Sequence, residues 1–294
     1  LEFGGSAPGR AFLKVAPPDD LPCLTHERRL MRAEIDTLER VAAAGVGKAP
    51  AILAADVSRA VVDRDAVFIE HLEGNLLSVA LADMAPQQAA GLRRELAGIA
   101  AAIQAVTAPT FGYPHQAALQ APTWREAFGR MLDAVLDDAL RLDMDPPLEP
   151  LRSRLRGVAE RLDIGGPPRL IHYDLWDGNV LVSRGEAGWS ITGLIDWERA
   201  FYGDPLAEIV SLTFHSGMAA DADLLAGWSR AASTRLVLDA AASRRLALYR
   251  AYLWLLMLVE AGPRGFLITQ PPAKWDAIRR RLDRDLAAAE AVAA

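Results

Sequence analysis

The 294-residue sequence contains one cysteine, Cys23. A single thiol cannot form an intramolecular disulfide and fits a reducing compartment, so the expected location is the cytoplasm. Basic excess is missing too: 32 Lys and Arg stand against 38 Asp and Glu, a net charge of −6. That argues against nucleic acid as the main partner and is compatible with a cationic small molecule. No apolar run approaches the roughly 18 residues that a membrane span needs. The nearest, Tyr252 to Val259, is bounded by Arg250 and Glu260. No stretch reads as a secretory signal, the histidines lack metal-ligand spacing, and there is no G-x-S-x-G nucleophile elbow. The sequence opens Leu1-Glu-Phe3 without an initiator Met, so further residues are expected ahead of it.

Hydrophobic residues make up 51% and charged ones 24%, an ordinary globular balance rich in Ala and Leu and therefore in helix. The length suits one large or two closely packed domains. The stretch with most chemistry is Leu170-Ile-His-Tyr-Asp-Leu-Trp-Asp-Gly-Asn179, followed by Leu194-Ile-Asp-Trp-Glu198. Apolar flanks (Leu170-Ile171, Val180 to Val182, Ile191 to Ile195) predict short buried strands. Asp174, Asn179 and Asp196 then fall at strand ends and on a turn. Oxygens held this way suit Mg²⁺, which takes its remaining ligands from water and phosphate. A further carboxylate is left to accept a proton from a hydroxyl.

The series His172-x-Asp174-x-x-x-x-Asn179, then Asp196, then Gly203-Asp-Pro205 resembles the aminoglycoside phosphotransferase and choline kinase group, relatives of protein kinases. The resemblance implies an α+β, protein-kinase-like two-lobe fold. A small antiparallel-sheet lobe, residues 1–72, would precede a larger, mainly helical lobe, residues 73–294. It implies ATP and Mg²⁺ as cofactors, Asp174 as the base, and Asn179 and Asp196 as magnesium ligands. His172 is expected to point inward and hold the loop by hydrogen bonds to backbone. Asp204 is expected to fix the catalytic-loop backbone from behind. Two positions depart from the family: Tyr173, where Gly or Arg is usual, and Glu208, where a further Asp often stands.

Taken in order, Arg10 to Val15 reads as a strand, with Lys14 on the face opposite its neighbours. Alone, Lys14 is an exposed edge-strand lysine; the resemblance makes it the lysine that contacts the nucleotide's phosphates. Thirteen residues precede it, too few for the two strands and phosphate loop that relatives place there, so the lobe is expected to lack its first strands. Gly4-Gly-Ser6 reads as a remnant of that loop or as a hairpin turn. Thr25 to Ala44 has helical periodicity (Leu30, Ile35, Leu38, Val41) with a stop at Gly45. Within it Glu34, or alternatively Glu27, would pair with the lysine. Val67 to Gly74 resembles the hinge between kinase lobes, with adenine contacts from the backbone at Glu70 and Leu72.

Beyond Ala85 helices dominate. Thr123 and Glu126 form a predicted capping box for a helix to about Leu142. Its acidic run (Asp133, Asp137, Asp138, continuing to Asp143 and Asp145) is either a solvated face or a recruiter of ammonium groups beside the acceptor. Trp228, Tyr249, Tyr252, Trp254 and Trp275 read as core, Asp177 as a turn residue. Glu198 reads equally as surface or as a third acid near the metal. The implied function is ATP-dependent phosphorylation of a small-molecule hydroxyl by a monomer or homodimer, with an aminoglycoside-type antibiotic as first acceptor. Fructosamine-, choline- or homoserine-like metabolites, or a catalytically silent binding protein, are the alternatives.

Overall fold

The computed structural model describes residues 2–3, 9–144, 148–214, 222–231 and 238–291. Gly4-Gly-Ser6, Asp145 and His215 lie outside them. The N-terminal part is an antiparallel sheet of β1 (Glu2–Phe3), β2 (Gly9–Val15), β3 (Ile52–Asp56) and β4 (Ala66–Glu70), in the order β1-β2-β4-β3. Lys14 pairs with Val67 across β2 and β4. The helix α1 (Leu30–Ala43) covers this sheet and stops where predicted, with Gly45 at φ 68°.

The start of α1 differs from the expectation. Thr25–Glu27 forms a separate turn, and Arg29 at φ 60° breaks the chain before Leu30. Tertiary bonds claim the polar groups that a longer helix would need. The Thr25 amide and hydroxyl donate to Asp138 at 2.5 and 2.8 Å, and the Leu24 amide donates to Glu27 at 2.7 Å. Arg141 donates to the Cys23 carbonyl, and Arg264 to Glu27, both at 2.6 Å. The segment from Cys23 to Glu27 is thus pinned to residues far along the chain.

After β4 the chain turns at Gly74, φ 144°, where a Cβ would lie 2.6 Å from the Thr192 hydroxyl. It continues through β5 (Asn75–Leu76), α2 (Leu77–Ala80) and α3 (Pro86–Ile103), which buries Leu92, Leu96 and Ile103 as its periodicity predicts. α4 (Trp124–Arg141) is capped by the Thr123 hydroxyl, which accepts from the Glu126 amide at 3.3 Å, and α5 (Leu148–Ala159) packs against it.

Four short strands then carry the central motif. β6 (Arg169–Ile171) pairs with β9 (Phe201–Gly203), while β7 (Val180–Gly185) and β8 (Gly188–Leu194) form a hairpin extended by β5. The remaining helices are α6 (Ala207–Leu212), α7 (Ala222–Ala231), α8 (Ala240–Glu260), α9 (Phe266–Thr269) and α10 (Pro272–Ala291). α8 is the axis of the core: Tyr249, Tyr252 and Trp254 are buried, as is Trp275 of α10. No helix among the described residues is long and apolar enough to cross a membrane.

Candidate active site

The hairpin and its neighbour β6 deliver the three predicted oxygens to one place. Asp174 follows β6, Asn179 immediately precedes β7, and Asp196 follows β8. The Asn179 side-chain amide donates to the Asp174 carbonyl at 2.8 Å and to the Asp174 carboxylate at 3.0 Å. With its nitrogen so committed, Asn179 has only Oδ1 left to offer a cation. The Asn179 carbonyl accepts from Ile195 at 3.0 Å, which sets Asp196 beside it. Asp196 adopts φ 67°, a left-handed conformation that Asp tolerates. Its carboxylate remains 41% exposed, open to a ligand. One amide oxygen and one accessible carboxylate are a donor set that fits Mg²⁺.

Lys14 reaches this point from the sheet. Its Nζ lies 2.7 and 2.6 Å from the two Glu34 oxygens and 3.6 Å from Asp196. Glu34, not Glu27, is therefore the partner, because α1 packs against the Trp197–Arg199 turn that follows Asp196. Burial works to lower the Lys14 pKa, but Glu34 and then Asp196 more than offset it and hold the amine above its usual value. Glu198 resolves toward the site, half-buried near Lys14. Burial, then the neighbouring Asp196, push its pKa up to about 7.

Asp174 faces a cleft. Burial raises its pKa, Arg199, 3.7 Å away, pulls the other way, and Asp196 adds to the rise. Arg199 is itself sandwiched, donating to Glu260 at 2.6 Å. His172 is fully buried, its pKa lowered by burial, and its Nδ1 accepts from the Asp174 amide at 3.3 Å. Placed directly after β6, it touches the backbone of the loop that carries Asp174.

The expectation for Asp204 needs correcting. The carboxylate beneath the catalytic loop is Glu208, which accepts from the His172 amide at 2.6 Å, the Tyr173 amide at 3.1 Å and the Ser211 hydroxyl at 2.7 Å. The extra methylene of Glu lets it reach from α6 to the loop. Asp204 is instead bound to Tyr249 at 2.6 Å, Arg245 at 2.8 Å and the Leu206 amide at 3.1 Å. Tyr173 sits at φ 60°, a left-handed conformation that glycine adopts far more readily than a ring-bearing side chain. Its ring packs on Phe201 and its hydroxyl donates to the Tyr249 carbonyl at 2.7 Å, so it is a wall and not a substrate handle.

Sequence reasoning missed Arg93, Arg199 and Glu260, whose partners lie far away in the chain. Arg93 forks onto Asp177 at 2.5 and 2.6 Å, which makes Asp177 an anchor as well as a turn residue. The acidic run on α4 is not at the cleft. Asp133 and Asp137 bind Arg152, and Asp138 holds Thr25 and Arg141. Glu70 and Leu72 lie at the end of β4 and just past it. The Glu70 amide is used by the Ala51 carbonyl at 2.8 Å, and Leu72 packs over Gly193. His26, Glu27 and Glu260 place ligand atoms within 4.8 Å of one another. Arg264 and Arg199 already bind the two carboxylates, and burial lowers the His26 pKa to about 4, so this group is an ion-pair knot.

The fold is similar to that of several solved structures. A Ralstonia eutropha JMP134 protein described as a candidate aminoglycoside phosphotransferase aligns with a TM-score of 0.66 at 13% identity, over 100% of this chain and 93% of its own. A thermostable mutant of the aminoglycoside phosphotransferase APH(4)-Ia gives 0.61 at 18% identity over 99% and 94%. A microcompartment-associated aminopropanol kinase gives 0.54 at 18% over 99% and 90%. At such identities these likenesses establish the two-lobe kinase-like fold. No curated protein sequence matches. The phosphotransferase enzyme family model matches residues 2–249, a span holding Lys14, Glu34, Asp174, Asn179 and Asp196, so the chain belongs to that family and is a small-molecule phosphotransferase.

Proposed function

We propose that the chain transfers the γ-phosphate of ATP to a hydroxyl of a small molecule, with Asp174 as base. The carrying observation is a carboxylate in a cleft, Asp174, bonded to Asn179, whose carbonyl accepts from the residue before Asp196, with Lys14 3.6 Å from Asp196. Glu70 and Leu72 would meet adenine through backbone groups, and the lobe boundary would fall at residues 72–73. Lys14, oriented by Glu34, would bind the phosphates. Asn179 Oδ1 and Asp196 would hold Mg²⁺, which when bound neutralises phosphate charge. The acceptor hydroxyl gives its proton to Asp174 as its oxygen bonds to the γ-phosphorus. The bond from that phosphorus to the bridging oxygen breaks and ADP leaves. Burial raises the pKa of Asp174, and a carboxylate with a higher pKa is a stronger base toward the hydroxyl proton.

A related APH(4)-Ia structure holds AMP-PNP and hygromycin B, which supports nucleotide use and an antibiotic acceptor. The aminopropanol kinase supports the second reading, a metabolite kinase. Asp174→Asn tests the assignment. Transfer should fall by ~10³-fold or more while the stabilisation by Mg²⁺ and ATP in a thermal shift persists. A variant as active as the parent would sink it.

A further inference from the structure

The cleft before Asp174, about 360 Å³, is large enough for a small organic molecule. Its wall is chiefly apolar: Trp176 of the catalytic loop, Phe214, Leu253 and Met257 of α8, Phe266 of α9 and Trp275 of α10. Among the described lining residues the charges are Asp174 and Glu260 against Arg199, Arg264 and Lys274; Arg264 also donates to Glu27 at 2.6 Å, which leaves Lys274, bonded to the Gln270 amide oxygen at 2.5 Å, as the cation with no carboxylate against it. Both carboxylates are committed. Asp174 takes Asn179 and faces Arg199. Glu260, its side chain 5% exposed, lies 2.6 Å from Arg199 and 3.7 Å from Arg264. The other acids that could have served, on α4, are paired away from the cleft.

An aromatic wall can also receive an ammonium group over a ring face. Here Lys274 already sits 5.2 Å above the Trp275 ring, so the protein's own cation holds that position. An incoming ammonium would meet Arg199, Arg264 and Lys274 with no uncommitted carboxylate among the described lining residues to receive it.

We infer that the acceptor is an alcohol with an apolar, ring-bearing body and a polar end of acceptor oxygens, carrying no ammonium group. Its body would lie on Trp176 and Met257, its oxygens toward Arg264 and Lys274, and its reacting hydroxyl toward Asp174. This inference rests on Asp174 being the phosphotransfer base.

The test has two stages with the intact chain. Thermal shift with ATP and Mg²⁺ comes first; no shift overturns the kinase reading itself, and the inference with it. Transfer from γ-labelled ATP is then measured over three acceptor sets: polycationic amino sugars, uncharged ring-bearing alcohols, and ring-bearing hydroxy acids. Label confined to the latter two sets is the expected result. Amino sugars labelled as efficiently, or a nucleotide-binding chain that labels neither ring-bearing set, overturn the inference. Lys274→Glu, on an exposed part of α10, should raise KM for the hydroxy acids roughly fivefold with kcat held; an unchanged KM counts against their placement.

Discussion

Arg93 and Asp177 face each other through two parallel hydrogen bonds, 2.5 and 2.6 Å long, that tie the catalytic loop to α3. Their side chains are 15% and 10% exposed, so neither is solvated enough to stand alone. Truncating one partner leaves a buried charge uncompensated. Arg93→Ala should cost about 3–5 kcal/mol in urea unfolding, and Arg93→Lys should recover little because an ammonium cannot reproduce the fork. A loss below about 1 kcal/mol would show that the pair is ornamental.

Glu208 offers a different test, since its bonds end on the backbone beside the base. Glu208→Ala orphans two buried amides, for a cost of about 2–4 kcal/mol. Because Tyr173 is held at φ 60° against its own preference, the loop should relax and move Asp174. The kinetic signature is a fall in kcat with KM for ATP little changed. A rise in KM for ATP alone would place the damage elsewhere.

Acid stability should depend on His26. Its folded pKa, about 4, lies below the usual 6.5, chiefly through burial. Between those values the unfolded chain binds a proton that the folded one does not, so stability is complete above pH 6.5 and drains away as pH falls toward 4. Linkage puts the loss on the order of 3 kcal/mol. His26→Gln should flatten the profile of unfolding free energy between pH 7 and 5, and an unaltered slope would assign it to other groups.

Much of the site was legible because phosphotransfer needs few groups at short spacing. Asp174, Asn179 and Asp196 sit on one hairpin and its entrance, and flanking apolar triplets mark those strands without tertiary information. Lys14 and Glu34 are readable because each lies on a regular element. What escaped was long-range charge pairing: Arg93 is 84 residues from Asp177, and Arg199 is 61 from Glu260. Nothing in local periodicity encodes such partners. The early helix start failed for the same reason, since Asp138, 113 residues away, takes the Thr25 groups that a longer helix needs.

The Cys23–Glu27 segment has a mechanical consequence. It is bolted to α4 by Arg141 and Asp138 and to Arg264 beyond α8, while the chain also crosses from sheet to helices near Gly74. A third tie, the Leu194 amide donating to the Lys48 carbonyl at 2.7 Å, joins the loop after α1 to β8, so the sheet cannot open as a rigid leaf without breaking a hydrogen bond. The 3.6 Å between Lys14 and Asp196 is therefore set by the framework around them and not by their own attraction alone.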